Sequence, residues 1–591
     1  MKLQGVSRSA GLGEVPHMRN PGKFARNSAT LGVLVWCGFF FVRTGDSPET
    51  DLIQKILLLG ILVIVPLGLV LVATPNRDNS HSPFYRWAII GQPVGAGAAL
   101  FSFLFEPGLI AGSLAAGWLI VNALIALFGL WRILQRGLFP VEEICLDAGL
   151  LYVPVAGVSL VISRLGIQAL GFGDTIILLT AVHFHFAGFA APIIAGTAGR
   201  QLRIQKHPRG LFRLAAAGII GSMPLVAIGI TFSPLLAFVG AILITLGLTL
   251  LAFLTMGWVL PSIESVPKQL LLTISSLSSA AAMCLASLYA YSIVAKTLIL
   301  DIPTMAMTHG VTNAFGFAAC GLVAWLAIKP RPRAPSPGMP FSKLPARNFI
   351  GPDYFERVGA LSSIKAKPTG LVDDFTLFSR DDFDPSAINP TVRAFYEETF
   401  RYRLIVRPHW NVGFRWGGRV TNWLGTKVGQ LRLPIEAESL ESQIESRLVP
   451  VADDSDGRAN VRGWIRTYEG TDHAMYVAAY ATHASHDNRY MNIAFPLPGG
   501  NLSSILHLNA AKISADGLGV VLSTLPSAHQ AGDQGVYYVN QLLPIRLPVD
   551  ESITVWPVTS TEGIVLKAKH EMWVFGVNYL NLDYDIFPAH S

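Results

Sequence analysis

Charge is scarce in this chain: 14% of its 591 residues are Asp, Glu, Lys or Arg, whereas 51% are apolar. Soluble domains carry about 25% charged residues, so the composition excludes an ordinary soluble enzyme. Cysteine is nearly missing as well. Cys37, Cys145, Cys284 and Cys320 stand at unrelated spacings inside apolar stretches, which leaves neither a disulfide framework nor a CxxC metal pair. No phosphate-cradling Gly-rich loop, nucleophile elbow or HExxH sequence occurs. These absences argue against an ATP-driven pump and the familiar hydrolases.

Long apolar runs dominate the first half. A helix needs roughly 20 mostly apolar residues to cross about 30 Å of hydrocarbon. Ten stretches qualify or nearly so: 28–43, 52–73, 86–105, 108–131, 142–163, 173–196, 211–232, 234–260, 268–293 and 303–328. The first is the shortest, and the third contains Pro93. Residues 1–333 hold 22 Lys/Arg against 12 Asp/Glu, a balance of +10, and residues 334–591 hold 23 against 27, a balance of −4. With the N-terminus inside, 18 basic residues flank the inner ends of the spans, among them Arg132, Arg136, Arg200 and Arg203. Only Arg43, Lys55, Arg164 and Lys296 flank the outer ends. Positive loops stay cytoplasmic, so both termini are expected in the cytoplasm. The same bias explains the basic balance without a nucleic-acid partner. The expected partners are membrane lipids and a small-molecule or ion substrate.

A Pro-rich linker, 329–345, follows the membrane domain of residues 1–328, and its prolines favour extended backbone. Residues 346–591 are expected to form a cytoplasmic domain. Helices are expected within 385–432, where Asn389-Pro390 marks a start and Val392, Phe395, Tyr396 and Phe400 recur near helical spacing. Trp410–Leu431 mixes Trp410, Phe414, Trp416, Trp423 and Leu424 with Arg415, Arg419 and Lys427, a pattern suited either to a membrane surface or to packing on the domain. Over 463–587 the period shifts to two, and nine short strands predict an antiparallel barrel or sandwich. The fold class is thus a polytopic α-helical membrane bundle of about ten helices, followed by a soluble α+β domain rich in antiparallel strands.

Ionisable groups deep in a span cost about 2.5 to 3.5 kcal/mol each, which makes them functional candidates by default. The sixth stretch holds Asp174, His183 and His185, and the tenth holds His309 and Asn313, one helical turn apart. His183 and His185 point about 200° apart on a regular helix and do not chelate one metal. His183 and Asn313 lie at similar depth and His309 about one turn nearer the outside, so if the two helices adjoin, a polar site in the outer to middle part of the membrane follows. Glu143 and Asp147, four apart in the fifth stretch, are secondary candidates, and a solvated span end is the simpler expectation for Glu143. Thr273, Ser275, Ser276, Ser278 and Ser279 in the ninth stretch suit either the lining of a cavity or close helix packing, and packing is the simpler expectation for the serines. In the second half, Thr482-His483-Ala-Ser-His486-Asp487 reads as a solvated hairpin turn, and His570, Glu571, Asp583 and Asp585 as surface positions. No metal ligand set and no cofactor emerges.

At Gly173-Asp174-Thr175, at His183-Phe184-His185-Phe186-Ala187-Gly188-Phe189, and at Thr308-His309-Gly310 with Asn313-Ala-Phe-Gly-Phe317, the chain resembles the YndJ-like family of bacterial membrane proteins over roughly 30–330. The resemblance implies a bacterial inner-membrane location and a single site made of Asp174, His183, His185, His309 and Asn313. It brings no established reaction. Three readings follow: a permease-like transporter not driven by ATP, an intramembrane metal- or haem-dependent or lipid-modifying enzyme, and a membrane-anchored lipid-binding or scaffold protein.

Overall fold

The computed structural model describes residues 21–73, 81–138, 140–203, 209–330, 339–432, 443–470, 472–485, 488–525, 532–540, 544–559 and 563–589. The chain divides into two compact units, with the main division between Pro335 and Ser336. Part of the Pro-rich stretch, 331–338, lies outside the described residues.

Among the described residues, the first unit contains ten long helices: α1 (Pro21–Phe39), α2 (Pro48–Val72), α3 (Pro83–Ser102), α4 (Leu109–Arg136), α5 (Val141–Leu165), α6 (Asp174–Leu202), α7 (Gly210–Phe232), α8 (Pro234–Ser262), α9 (Val266–Val294) and α10 (Ile302–Ile328). Eight are long and apolar enough to cross a membrane; α1 and α3, which correspond to the first and third expected stretches, are helical but not apolar enough to count. The helix starts follow ordinary capping chemistry. Ser47 and Asp301 each accept a backbone N–H from the first turn, and Pro48 and Pro303 occupy positions where no helical donor is needed. At the end of α5, Gly166 adopts a left-handed φ of 72° that stops the helix.

Four of these helices are interrupted by wide π turns: Gly60–Ile64 in α2, Phe184–Ala190 in α6, Thr255–Val259 in α8, and Ala306–Gly310 with Thr312–Ala319 in α10. The π segments of α2, α6 and α10 touch one another. Gly60 lies so close to α6 that a Cβ there would stand 3.0 Å from His185 Cβ. Such turns re-aim side chains and concentrate at functional positions.

The second unit is built on a twelve-stranded antiparallel sheet: β1 (Tyr402–Trp410), β2 (Gln443–Pro450), β3 (Arg462–Tyr468), β4 (Ala474–Ser485), β5 (Asn488–Leu497), β6 (Gly500–Ser514), β7 (Gly517–Ser523), β8 (Gly535–Val539), β9 (Pro544–Arg546), β10 (Val549–Pro557), β11 (Leu566–Val574) and β12 (Val577–Pro588). The strand order β5-β4-β3-β2-β1-β12-β11-β10-β7-β6 closes on itself through β5–β6 pairing, and β8 and β9 extend from β6. Closure removes the exposed edges that an open sheet must protect. Leu404, Leu448, Trp464, Tyr480, Ile493, Leu508, Leu522, Val555, Ala568 and Tyr584, one from each strand of the ring, meet in a single core with Phe375, Phe378 and Tyr396. That shared core defines the inward face. A second, smaller core on the other face joins Val449, Ile465, Val477 and Ala479 to Tyr354 and Phe355.

Strand β1 falls inside the region expected to be helical. Its sequence alternates, with Leu404 and Val406 buried and its neighbours less so, and pairing with β12 along its whole length overrides the nearby helical signal. Two helices flank it: α11 (Pro390–Glu397), capped by Asn389, and α12 (Arg415–Val428).

Candidate functional site

The rings of His183 on α6 and His309 on α10 stack with centroids 6.3 Å apart. Each Nδ1 faces a backbone carbonyl: that of Leu179, at 2.6 Å, for His183, and that of Ala282 on α9, at 2.8 Å, for His309. A carbonyl only accepts, so Nδ1 carries the proton in both neutral rings and Nε2 keeps the lone pair. Asn313 Nδ2 lies 3.3 Å from His309 Nε2 and donates to it. His183 is exposed on the protein surface, while His309 and Asn313 are half-buried. The three side chains form a polar patch where α6, α9 and α10 meet, next to the π turns.

The other two residues of the expected site lie elsewhere. His185 is fully buried, its Nδ1–H donates to Ala181 O at 2.8 Å, and its Nε2 accepts from Trp118 Nε1 at 3.0 Å. With both ring nitrogens satisfied, it braces α6 against α4. Asp174 is exposed in the first turn of α6, where a carboxylate suits the helix dipole. The wide turn beginning at Phe184 separates the two histidines, so sequence proximity does not make them partners.

Glu143 and Asp147 require a correction. Both are fully buried. Arg132 of α4 donates through Nε to Asp147 at 2.5 Å and through Nη2 to Glu143 at 2.7 Å. Arg200 of α6 grips both Glu143 oxygens, at 2.7 and 2.8 Å. The same arginines donate through Nη1 to the carbonyls of Val72 and Leu71 at the end of α2, at 3.1 and 3.0 Å. Two cations thus match two anions while capping a helix C-terminus. Counting Arg132 and Arg200 as loop charges hid this pairing. The one sequence signal for it was a carboxylate pair four apart opposite an Arg on each of two other spans.

In α9, Ser275 donates to Phe317 O at 2.9 Å. A Cβ on Gly321 would stand 2.6 Å from Ser275 Oγ, so these small residues allow α9 and α10 to approach closely. Among the described residues, no three His, Cys, Asp or Glu side chains converge as metal ligands.

In the second unit, His486 and Asp487 lie outside the described residues. His483 is not solvated: it is buried against Tyr490, with Nε2 at 3.1 Å from Asp533 Oδ2. His570 is not a free surface group either. It faces inward, and its Nε2 lies 2.6 Å from Glu551, a carboxylate also bonded by Ser504. Burial opposes ionisation of Glu551, but its bonds to His570 and Ser504 win and hold its pKa below the ordinary carboxylate value. Asp585 is buried and paired with Arg407. His570 is on the inward face that closure of the barrel buries, whereas His483 and Asp585 are on the outer face, where Tyr490 and Asp533 cover the one and Arg407 pairs with the other.

Residues 55–317 match a family model described as YndJ-like protein, a stretch that contains every membrane candidate named above. This stretch of the membrane half is thus similar to YndJ-like proteins. Over nearly its full length the chain is also similar to the uncharacterized membrane protein YndJ of Bacillus subtilis (strain 168), with 28% identity over 563 residues covering 95% of this chain and 98% of that protein. No solved structure matches the chain. Within residues 55–317, the geometry separates a structural charge cluster, Glu143 with Asp147, Arg132 and Arg200, from an accessible polar patch, His183 with His309 and Asn313.

Proposed function

We propose that the membrane half is a permease-like transporter not driven by ATP, and that His183, His309 and Asn313 form its substrate or proton site. The observation that supports this reading is the stacked His183–His309 pair at 6.3 Å beside the π turns of two helices. Both Nδ1 atoms are committed to carbonyls, so Nε2 of His183 offers a lone pair to a proton or a polar solute. A positive charge on one ring opposes a second on the other, so the pair takes one proton at a time. Solute binding at one ring would then displace or recruit that proton. The site lies at a plasma membrane with both termini cytoplasmic. Eight or ten crossings equally return the chain to its starting side.

The test uses proteoliposomes loaded with a pH-sensitive dye and challenged with a panel of small polar solutes. Solute-coupled proton movement is expected in the wild type, with at least about a tenfold loss in His183→Ala and in His309→Ala. Coupled movement that survives in the double variant refutes the assignment.

A second reading, lipid contact by the second unit, is favoured by α12. Gly418 and Gly425, seven residues apart on one face, are buried, and a Cβ on Gly418 would stand 2.8 Å from the Trp410 ring. The opposite face presents Trp416, Val420, Trp423 and Leu424 to solvent, with Lys427 over the Trp423 ring at 3.9 Å. Exposed Arg415 and Arg419 flank it, and no acidic residue occurs in the helix. Aromatic rings and cations so arranged suit the headgroup layer of an anionic membrane.

A further inference from the structure

The barrel contains an arginine whose chemistry neither reading uses. Arg466 of β3 is on the inward face and 2% exposed. Its guanidinium carbon stands 5.0 Å from the Trp464 ring, 5.3 Å from Tyr476 and 5.5 Å from Tyr584. Aromatic faces attract the cation from above and below its plane but leave its in-plane N–H groups unanswered. Nη1 donates to Tyr476 Oη at 3.3 Å. Among the described residues, nothing accepts from Nε or Nη2, and neither Trp464 Nε1 nor Ser446 Oγ has a hydrogen-bond partner. Ser446 is the register partner of Arg466 across β2, so these donors share one patch of wall.

What this edge of a guanidinium takes is visible elsewhere in the chain. Nε and Nη2 of Arg200 hold the two oxygens of Glu143 at 2.7 and 2.8 Å. The same two atoms of Arg458 hold Asp456 at 2.6 and 3.0 Å. Glu551, the acid on the same inward face as Arg466, is engaged by His570 and Ser504. Withdrawing a guanidinium from water without an anion costs several kcal/mol, and aromatic contacts worth about 2 kcal/mol do not offset that. The remaining surroundings are Leu448 and Ala478, which are apolar, and Tyr584, whose neutral phenol also interacts with the guanidinium but brings no negative charge.

We propose that Arg466 anchors a ligand site inside the barrel for an acid with an apolar body, whose carboxylate or phosphate binds side-on through Nε and Nη2, with Trp464 and Ser446 as flanking donors. An ammonium is a point charge and does not reproduce a two-pronged grip, so Arg466→Lys keeps the charge and loses the geometry.

The full chain, purified in mild detergent, is titrated with decanoate, acetate and inorganic phosphate, reading calorimetric affinity and thermal midpoint. Decanoate is expected to bind and raise the midpoint, at least about tenfold more weakly in Arg466→Lys and about two- to tenfold more weakly in Trp464→Phe, which keeps the packing and deletes one donor. Binding of decanoate without the two small anions identifies an acid recognised with its apolar body. Comparable binding of acetate or phosphate identifies a free small oxyanion at the same guanidinium and overturns the apolar-body assignment. The site as a whole is overturned if none of the three binds, or if wild-type affinity persists in both variants.

Discussion

Replacing Glu143 by Gln is the sharpest test of how the membrane unit is held together. The carboxylate takes three charge-assisted bonds, from Arg132 Nη2 at 2.7 Å and from Arg200 Nε and Nη2 at 2.7 and 2.8 Å, in surroundings where all four charged side chains are 2% exposed or less. A Gln amide keeps the shape but removes the charge, and either orientation points an NH₂ donor at a guanidinium. The cluster changes from two cations facing two anions to two cations facing Asp147 alone. Removing one partner of a buried pair costs about 3 to 5 kcal/mol, because the other charge is left uncompensated.

The double variant separates charge balance from lost packing. Arg200→Met added to Glu143→Gln deletes the surplus cation and leaves Arg132 with Asp147, still bonded at 2.5 Å. The pair of substitutions should therefore be less harmful than the sum of the two singles, with a coupling of about 2 to 3 kcal/mol. The assay is unfolding by a denaturing detergent titrated into mixed micelles, followed by tryptophan fluorescence. A loss below about 1 kcal/mol in Glu143→Gln, or strict additivity in the double variant, would refute a charge-balanced cluster.

Further expectations concern the second unit. Burial, with a lesser push from Arg380, depresses the His507 pKa to about 4. Because this is below the unfolded value of about 6.5, the unfolded chain binds the proton first. Stability is therefore full above about pH 6.5 and falls as the pH drops toward 4, and His507→Gln should flatten that part of the pH–stability curve. An unchanged acid slope in the variant would show that another group titrates there. Gly418→Ala should cost about 1 to 3 kcal/mol by forcing a Cβ into the Trp410 ring. Trp416→Ala, at a position 70% exposed, should change stability by less than about 0.5 kcal/mol yet reduce binding to vesicles containing anionic phospholipid. Equal vesicle binding by wild type and Trp416→Ala would remove the interfacial role of α12.

The parts of this fold that were legible in the sequence are those where one physical requirement acts over many residues. An apolar run long enough to cross a bilayer announces itself, as α2 and α8 do, and period-two alternation marks strands such as β4 and β11. The weaker stretches α1 and α3 form helices through local propensity and packing, including a bond from Gln92 of α3 to the carbonyl of Ile61 in α2, so helicity there does not depend on hydropathy. Pairings between distant residues were much less visible. His183 and His309 were expected to meet because depth in a bilayer supplies a shared coordinate. Glu143 and Arg200 had no such guide beyond opposite charge.

The barrel interior is not legible in strand alternation alone. On β10 and β11, Glu551 and His570 alternate with residues such as Thr554 and Glu571 in a way that fits either face until the ring closes. Closure converts one face of every strand into core at once, so each polar residue on that face must find a partner. Glu551, His570 and Ser504 satisfy one another there. Arg466, on the same face, satisfies only Nη1 among the described residues and leaves its two-pronged edge for an acceptor that those residues do not provide. In a wall that otherwise satisfies its charges, such an edge is better evidence for a ligand than a conspicuous motif on the surface, because water can satisfy the motif and cannot readily satisfy a guanidinium enclosed by aromatic rings.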